Sequence, residues 1–392
     1  MERRAGGARM NAISMVSGEI ADRVRGAAAR GERLRITGGA GWLDAGRPVR
    51  EATPLALSAL TGIVEYVPGD LTLTALAATP LAEIERATAA ERQFLALDPY
   101  GAPGGTIGAT IATASAGPLA HAFGTPRDIV LGVEAVTGEG TVIRAGGRVV
   151  KNVAGFDITR LLTGAWGTLG VITEVSVRLR ALPETEESVA IAVRDDGTAD
   201  CGALLTRVRE AAVAPWCLEL LSPALAARLG VASRTALIAR LAGNEESVRA
   251  QFAALSALAP VARIADGVWR SLRECEPARA AVVRLSARPS RTAELWSAAR
   301  GATASVSGAF VHASPGRGVV RLVLPDANAE KMTIVLDALA GLGARCIAER
   351  VPDACWSHPM LASAVGDPLS RRAREAFDPR HILNPGILGD EE

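Results

Sequence analysis

Residues 164–175 read GAWGTLGVITEV, and they combine regularly spaced glycines with the start of a β-branched strand. Gly164, Gly167 and Gly170 lie three residues apart, and Val171 to Val175 follow directly. Because glycine weakens a helix interior, this spacing does not indicate a helix face. Glycine permits a positive φ and lets another group approach the main chain closely. The stretch is therefore either a tight turn or a surface on which a ligand lies against the backbone.

The composition is that of a globular protein with enough apolar residues for a large core. The chain has 392 residues, of which 49% are hydrophobic and 22% are charged, so one very large domain or two to three ordinary domains are expected. The formal net charge is +1, which argues against general binding of nucleic acids through long-range electrostatics.

The cysteines give no sign of a metal cluster. None of the five forms a C-x-x-C pair, so neither an iron–sulfur cluster nor a structural zinc site is predicted. The N-terminal residues lack the apolar segment of a signal peptide, and the charge-free segment between Asp98 and Arg127 contains too many glycines and prolines to span a membrane. These features predict a cytoplasmic protein.

The first half of the chain alternates short strands with short helices. Ser17 is expected to be the N-cap of the first helix, and Gly31 to end it. The predicted strands lie at 34–37, 62–68, 71–77, within 128–146 and at 171–179, and the predicted helices at 17–31, 80–92 and 156–164.

A second α+β region is expected after Pro183, with a sheet covered on one face by helices. The predicted strands lie at 189–193, 236–241, 282–285, 309–313, 319–324 and 345–350, and the predicted helices at 198–212, 245–258, 291–300 and 327–342.

Three glycine-rich loops lie in the first half, at Gly38–Gly41, Gly104–Gly108 and Gly164–Gly170. None has the G-x-G-x-x-G pattern of a nicotinamide dinucleotide site, and no Gly-Lys-Ser/Thr sequence of a P-loop occurs. Main-chain N–H groups of glycine loops can nevertheless hold a pyrophosphate without a lysine. The three loops together therefore favour one extended ligand such as a dinucleotide. The alternative is that they are ordinary turns in a chain rich in glycine and alanine.

Four longer motifs resemble one known family. GTIGATIATASAGP (105–118), VKNVAGFD (150–157), GTLGVITE (167–174) and FDPRHILNPG (377–386) look like those of the FAD-linked oxidases with the PCMH-type, or vanillyl-alcohol-oxidase, fold. Within that family, the chain is most similar to the FAD-binding E subunits of glycolate oxidase (glycolate dehydrogenase). The resemblance covers roughly residues 33–183 and the C-terminal tail, and it is loose over 184–370.

The resemblance implies an α+β architecture in which two α+β subdomains hold FAD. It implies a PCMH-type FAD-binding domain over residues 1–183, an α+β cap over 184–370 and a tail over 371–392 that returns to the FAD domain. It also implies the cofactor-binding residues, which are Gly38, Gly39, Ala40, Gly41, Thr106, Ile107, Gly108, Ala109, Thr110, Gly164, Gly167, Thr168, Gly170, Ile172 and Asn384.

The candidate catalytic residues are Lys151, Asn152 and Asn384. Lys151 either places positive charge near the flavin, where it would stabilise the reduced form, or is a solvated lysine at the end of a strand. Hydroxy-acid enzymes of the wider family share a cap motif, His-x-Gly-Asp-Gly-Asn-x-His, that holds a metal. That motif is absent here, so no metal site is expected. His312 is expected to be structural or exposed, and FAD to be bound noncovalently.

The resemblance implies an FAD-binding subunit of a complex that oxidises glycolate to glyoxylate. Its partners would be a second flavin subunit and an iron–sulfur subunit, through which the protein would reach a membrane. The alternatives are a stand-alone FAD-linked 2-hydroxy-acid dehydrogenase and a flavin-binding scaffold without turnover. Because no pair of histidine and acidic residues is evident for accepting the hydroxyl proton, the isolated chain is expected to oxidise little glycolate.

Overall fold

The computed structural model describes residues 2–39, 41–101, 104–147, 157–193 and 198–389, with side chains from residue 16 onward except at 198 and 199. Up to residue 181 the described chain contains short strands and, apart from the first, short helices. The strands are β1 (Leu34–Thr37), β2 (Thr53–Ala56), β3 (Ile63–Val67), β4 (Thr72–Leu76), β5 (Gln93–Phe94), β6 (Val130–Val136), β7 (Val142–Gly146), β8 (Val171–Arg178) and β9 (Arg180–Ala181). The helices are α1 (Glu2–Arg30), α2 (Leu81–Ala89), α3 (Ile107–Thr113), α4 (Ala120–Phe123), α5 (Pro126–Ile129) and α6 (Ile158–Leu162).

An antiparallel five-stranded sheet in the order β3-β4-β8-β6-β7 is the centre of this first part. Strand β8 lies in the middle and alternates buried with half-buried residues over its second half, as expected for a strand with one well-covered face. Helix α3 packs on the sheet through Ile107 and Ile111, which are fully buried. The glycine loop before α3 is thereby held at one edge of the sheet.

The C-terminal tail returns to this first part and extends its small parallel sheet of β1 and β2. The N–H of Leu34 donates to the carbonyl of Ile382 at 2.7 Å, and the N–H of Asn384 donates to the carbonyl of Leu34 at 2.9 Å. Leu34, Ile382 and Leu383 lie in one buried cluster with α1. The expected return of the tail is therefore present.

A second sheet occupies the later part of the chain and has eight strands among the described residues, in the order β13-β10-β12-β11-β15-β16-β14-β17. These strands are β10 (Thr185–Ala192), β11 (Cys217–Leu221), β12 (Ala236–Gly243), β13 (Val261–Arg263), β14 (Ala281–Ser286), β15 (Phe310–Ser314), β16 (Val319–Leu324) and β17 (Arg345–Arg350). The helices of this part and of the tail are α7 (Thr198–Glu210), α8 (Pro223–Arg228), α9 (Glu245–Leu258), α10 (Val268–Arg273), α11 (Thr292–Thr303), α12 (Ala329–Leu339) and α13 (Pro368–Phe377).

The two faces of the eight-stranded sheet have different neighbours. One face packs against α7, α9, α11 and α12 in a large apolar core that includes the fully buried Trp296. The other face turns toward the first part, where Leu221 and Phe310 share a buried cluster with Tyr100 and Leu119. The sheet is therefore covered on both faces, whereas the sequence predicted cover on only one.

Several sequence predictions of single elements were wrong or incomplete. Ser17 is not an N-cap, because α1 begins at Glu2 and Ser17 lies inside it. Strand β11 was missed, as was helix α3 in the charge-free segment that was expected to be a loop. The division at residues 183 and 370 stays a prediction.

Glu134 on β6 connects α1 to the five-stranded sheet. Its carboxylate accepts hydrogen bonds from Ser17 at 2.6 Å and from Thr173 at 2.8 Å. Arg144 adds a third hydrogen bond at 2.7 Å. Burial alone would raise the pKa of Glu134, but these donors outweigh it and hold the pKa below the usual 4.5.

We predict that Glu134→Gln lowers the free energy of unfolding by about 1–3 kcal/mol, because a buried charge-assisted network loses its acceptor. A carboxylate with a depressed pKa stabilises the folded state at pH values above its pKa in the unfolded chain. The difference in unfolding free energy between wild type and variant is therefore largest at neutral pH and decreases as the pH falls below about 4.5. Urea unfolding at pH 7 and at pH 4 measures this. Glu139→Gln in the neighbouring exposed turn is the control, and equal effects of the two variants would refute the role of Glu134.

Candidate functional site

A cleft of about 400 Å³ lies where the first part, the tail and helix α10 meet. Its walls come from the end of β1, the loop before α3, the turn after Trp166 and the tail residue Asn384. Arg270 and Arg273 of α10 lie at its second-sheet side. The volume is within the range of ligand pockets, which is about 300–1,000 Å³.

Most of the residues predicted to bind a cofactor line this cleft. They are Gly38, Gly39, Gly41, Thr106, Gly108, Ala109, Thr110, Gly167, Gly170, Ile172 and Asn384. All three glycine loops therefore contribute to a single cavity, although the first and the third are more than 120 residues apart in sequence. Ala40 and the catalytic candidates Lys151 and Asn152 lie outside the described residues.

Three predicted residues do not line the cleft. Ile107 is fully buried in the core beneath the five-stranded sheet. The hydroxyl of Thr168 donates to the carbonyl of Ala165 at 2.7 Å inside the turn. Gly164 has a φ of +83°, and this left-handed backbone conformation explains why a glycine occurs at this position of the turn.

The glycines at the cleft have two different physical roles. A Cβ on Gly108 would lie 2.6 Å from the Cβ of Ala77, and the Gly108 N–H donates to the carbonyl of Ala77 at 2.8 Å. This glycine allows α3 to pack tightly on the chain after β4. By contrast, no described atom lies within 4 Å of a Cβ built on Gly41 or Gly105. Side chains at those two positions would occupy free space at the cleft.

Asn384 joins three walls of the cleft through its carboxamide. Its Oδ1 accepts from the N–H of Ile36 on β1 at 2.8 Å, and its Nδ2 donates to the carbonyl of Trp166 at 2.7 Å. The residue is 4% exposed. Because both ends of the amide bind the main chain, Asn384 positions the cleft walls, and the catalytic role considered for it stays a prediction.

A row of polar side chains lies on the second sheet, on the face turned toward the first part. His312 on β15 stands opposite Arg321 on β16, and Arg321 stands opposite Arg284 on β14. The guanidinium of Arg321 makes ion pairs of 2.6 Å with Glu276 and with Glu349. Burial would raise the pKa of Glu349, but Arg321 outweighs it and lowers that pKa to about 2, so the Glu349 partner is ionised.

His312 is buried and paired with an acid, whereas no pair of histidine and acidic residues was evident in the sequence. Its Nδ1 lies 3.3 Å from Oε2 of Glu219 on β11, and Ser314 donates to the other oxygen of Glu219. Both residues of the pair are almost completely buried. Residues 219 and 312 are 93 positions apart, so no local sequence pattern shows the pairing.

A small cavity of about 10 Å³ lies against this row. It is lined by His312, Ser314, Arg284, Arg317, Arg321 and Val319 on one side and by Tyr100 and Ala116 on the other. Tyr100 also lines the large cleft, so the two cavities adjoin at this residue. Within the described residues, no group of His, Cys, Asp and Glu side chains is arranged to hold a metal ion, and none of the described helices is long and apolar enough to cross a membrane.

Comparison with known proteins shows an FAD-binding domain in this chain. Residues 17–146 match the family model of an FAD binding domain. Glycolate oxidase subunit GlcE of Escherichia coli is 43% identical over 37% of this chain and 41% of its own length. The mitochondrial D-lactate dehydrogenase [cytochrome] of Arabidopsis thaliana is 45% identical over 23% of this chain and 16% of its own length. Both matches therefore cover less than half of the relative.

The fold has a solved counterpart. The crystal structure of p-cresol methylhydroxylase superposes with a TM-score of 0.74 over 95% of this chain and 87% of its own, at 16% identity. That likeness covers both sheets of the protein. The chain thus carries an FAD-binding domain over residues 17–146 and has the fold of the PCMH-type FAD oxidases.

Proposed function

We propose that this protein is the FAD-binding subunit of a glycolate oxidase (glycolate dehydrogenase) complex and that it takes part in the oxidation of a small 2-hydroxy acid. The observation that carries the proposal is the convergence of three glycine loops on one cleft. Two relatives point to the same chemistry, since one is a glycolate oxidase subunit and the other a D-lactate dehydrogenase.

The cleft fits an extended dinucleotide because its glycines leave room on the ligand side. Side chains are absent at Gly41 and Gly105, where a Cβ would meet open space. Gly38 and Gly39 let the first loop approach the second closely, since a Cβ on Gly38 would lie 2.9 Å from the hydroxyl oxygen of Thr106. We assign the pyrophosphate to these two loops and the remaining cofactor to the walls beside Gly167, Gly170 and Ile172.

When FAD is bound, its flavin supplies the acceptor for a hydride from the substrate carbon. The chain's own residues bind and orient both molecules. Asn384 holds β1 against the Trp166 turn, and the second sheet closes the cleft through α10. Arg270 and Arg273 at that side supply positive charge, which favours an anionic substrate such as a 2-hydroxy acid. The roles of Lys151 and Asn152 stay predictions.

The complex is part of the proposal. The five cysteines form no disulfides and are scattered along the sequence, so we assign any iron–sulfur centre to a partner subunit. A second flavin subunit is proposed because the E. coli relative is itself named a subunit. A cytoplasmic location, with membrane contact through partners, stays a prediction.

A stand-alone 2-hydroxy-acid dehydrogenase is the second candidate, and one observation favours it. The buried His312–Glu219 pair is the type of group that accepts a hydroxyl proton. The expectation of little activity in the isolated chain assumed that no such pair exists. A flavin-binding scaffold without turnover is the third candidate.

We predict that Gly105→Val removes FAD without unfolding the protein. The new side chain enters open space at the cleft, so it displaces the cofactor and not protein atoms. We expect FAD affinity to fall by about tenfold or more, which corresponds to about 1.4 kcal/mol, while the melting temperature of the FAD-free protein stays within about 2 °C of wild type. Flavin fluorescence titration and thermal unfolding of the apoprotein measure the two quantities.

Two controls make the Gly105 result specific. Gly69→Val also enters open space, but in an exposed turn outside the cleft, so it should leave FAD affinity unchanged. Gly108→Val collides with Ala77 and should lower the melting temperature of the apoprotein itself. Full FAD affinity in Gly105→Val would show that the loop before α3 is not part of the cofactor site.

We further predict that the purified protein is yellow and that acid precipitation releases intact FAD into the supernatant. Anaerobic glycolate or D-lactate should bleach the flavin absorbance, either in the isolated chain or only after partner subunits are added. Bleaching of the isolated chain would favour the stand-alone enzyme, and bleaching only with partners would favour the complex. If neither acid bleaches the flavin under any condition, the oxidation of 2-hydroxy acids is refuted, and a flavin-binding scaffold without turnover is the remaining candidate.

A further inference from the structure

The small cavity beside the cleft brings together three buried polar atoms that have no hydrogen-bond partner among the described residues. They are the hydroxyl oxygen of Tyr100, Nε2 of His312 and Nε of Arg284. All three residues line the cavity. Tyr100 and His312 are 7% and 1% exposed. An unpaired buried polar atom is unfavourable, so three around one cavity indicate a site that holds a small polar group.

The size of the cavity limits what it can receive. Its volume of about 10 Å³ is close to that of one water-sized group. A whole 2-hydroxy acid does not enter, but one small polar group of a ligand in the cleft does. Tyr100 lines both cavities, and Ser115 of the cleft is adjacent to Ala116 of the small cavity. The two spaces therefore meet at these residues.

The hydrogen-bonding character of the three atoms defines the group. In a neutral imidazole whose Nδ1–H donates to the Glu219 carboxylate, Nε2 of His312 is an acceptor. Nε of Arg284 is a donor. Burial raises the pKa of the Tyr100 phenol well above its usual value, so Tyr100 stays protonated and can donate. The missing group must donate once and accept at least once.

A hydroxyl group meets this requirement, whereas a carboxylate does not, because a carboxylate cannot donate to His312. We propose that Tyr100, His312 and Arg284 form the receptor for the hydroxyl group of a small 2-hydroxy acid, and that His312 accepts the hydroxyl proton when the acid is oxidised. This proposal rests on the proposed function, since it assumes FAD in the neighbouring cleft.

The atoms and electrons of the step balance. The substrate O–H bond breaks, and its proton forms a new bond to Nε2 of His312. The adjacent C–H bond breaks, and its hydride carries two electrons to the flavin, which is the oxidant. The carbon–oxygen bond becomes a carbonyl. Glu219, hydrogen-bonded to Nδ1, stabilises the resulting imidazolium and is thus a positioning residue.

Two measurements on the FAD-loaded protein test the receptor. The first is binding of glycolate and of acetate, which lacks the hydroxyl, to protein reduced with dithionite. Reduced flavin cannot oxidise glycolate, so calorimetry reports binding alone. We expect glycolate to bind at least about tenfold more tightly than acetate. The preference should disappear in His312→Asn and shrink in Tyr100→Phe, which keeps the ring.

The second measurement is the anaerobic rate of flavin reduction by glycolate, with any partner subunits that the wild type requires. We expect His312→Asn to lower the rate constant about a hundredfold or more and Glu219→Gln to lower it less. Flavin content should stay at the wild-type level in each variant. His358→Asn is the matched control, because His358 forms a 3.1 Å pair with the exposed Asp337 on the surface and should behave as wild type.

The outcomes separate this proposal from the proposed function. If glycolate reduces wild type but His312→Asn and Tyr100→Phe keep both the rate and the preference over acetate, the receptor is refuted and the proposed function stands. If wild type holds FAD yet glycolate and D-lactate never reduce it, both the proposed function and the proton-accepting role of His312 are refuted. If His312→Asn does not fold, loss of the preference in a folded Tyr100→Phe supports the receptor, and its retention refutes it.

Discussion

The carboxamide of Asn384 is the interaction on which the cleft depends. It accepts from β1 on one side and donates to the Trp166 turn on the other, and the main-chain N–H of the same residue donates to the carbonyl of Leu34. Three segments from distant parts of the sequence are thereby fixed relative to one another. A side-chain amide suits this role because it offers a donor and an acceptor at once. The return of the tail therefore determines the shape of the site as well as the packing of α1.

The glycines at the cleft have two different roles that cannot be distinguished in the sequence. Gly108 allows a helix to approach the chain after β4, and its N–H is used by Ala77. Gly105, three residues earlier, has free space where its side chain would be. The sequence placed both in one glycine-rich loop and predicted Gly108 as the cofactor contact, because spacing does not reveal which atoms lie above a missing Cβ. Only the packing of α3 on the sheet distinguishes them.

The sequence predicted the fold well where hydrophobic periodicity was clear. The prediction of helix 245–258 is confirmed by α9, and the strands predicted at 319–324 and 345–350 are confirmed by β16 and β17. Strand β11 was missed because all five of its residues, Cys217–Leu221, are buried. A strand covered on both faces shows no alternation of polar and apolar residues. Glu219 is on that strand, so the error also concealed the partner of His312.

The polar row on the second sheet explains why that face is only partly apolar. Arg321 is buried, and its two carboxylate partners hold it in place, since an unpaired charge there would be very costly. This pairing leaves Arg321 no part in recognising a ligand. Arg284 is different, because its closest recorded carboxylate atom lies 3.9 Å away and its Nε is unpartnered. The row thus combines a closed ion-pair network, which anchors the sheet, with an open set of donors and one acceptor beside the cleft. In our proposal, Arg321 and its carboxylate partners stabilise the sheet, and the neighbouring Arg284 binds the ligand.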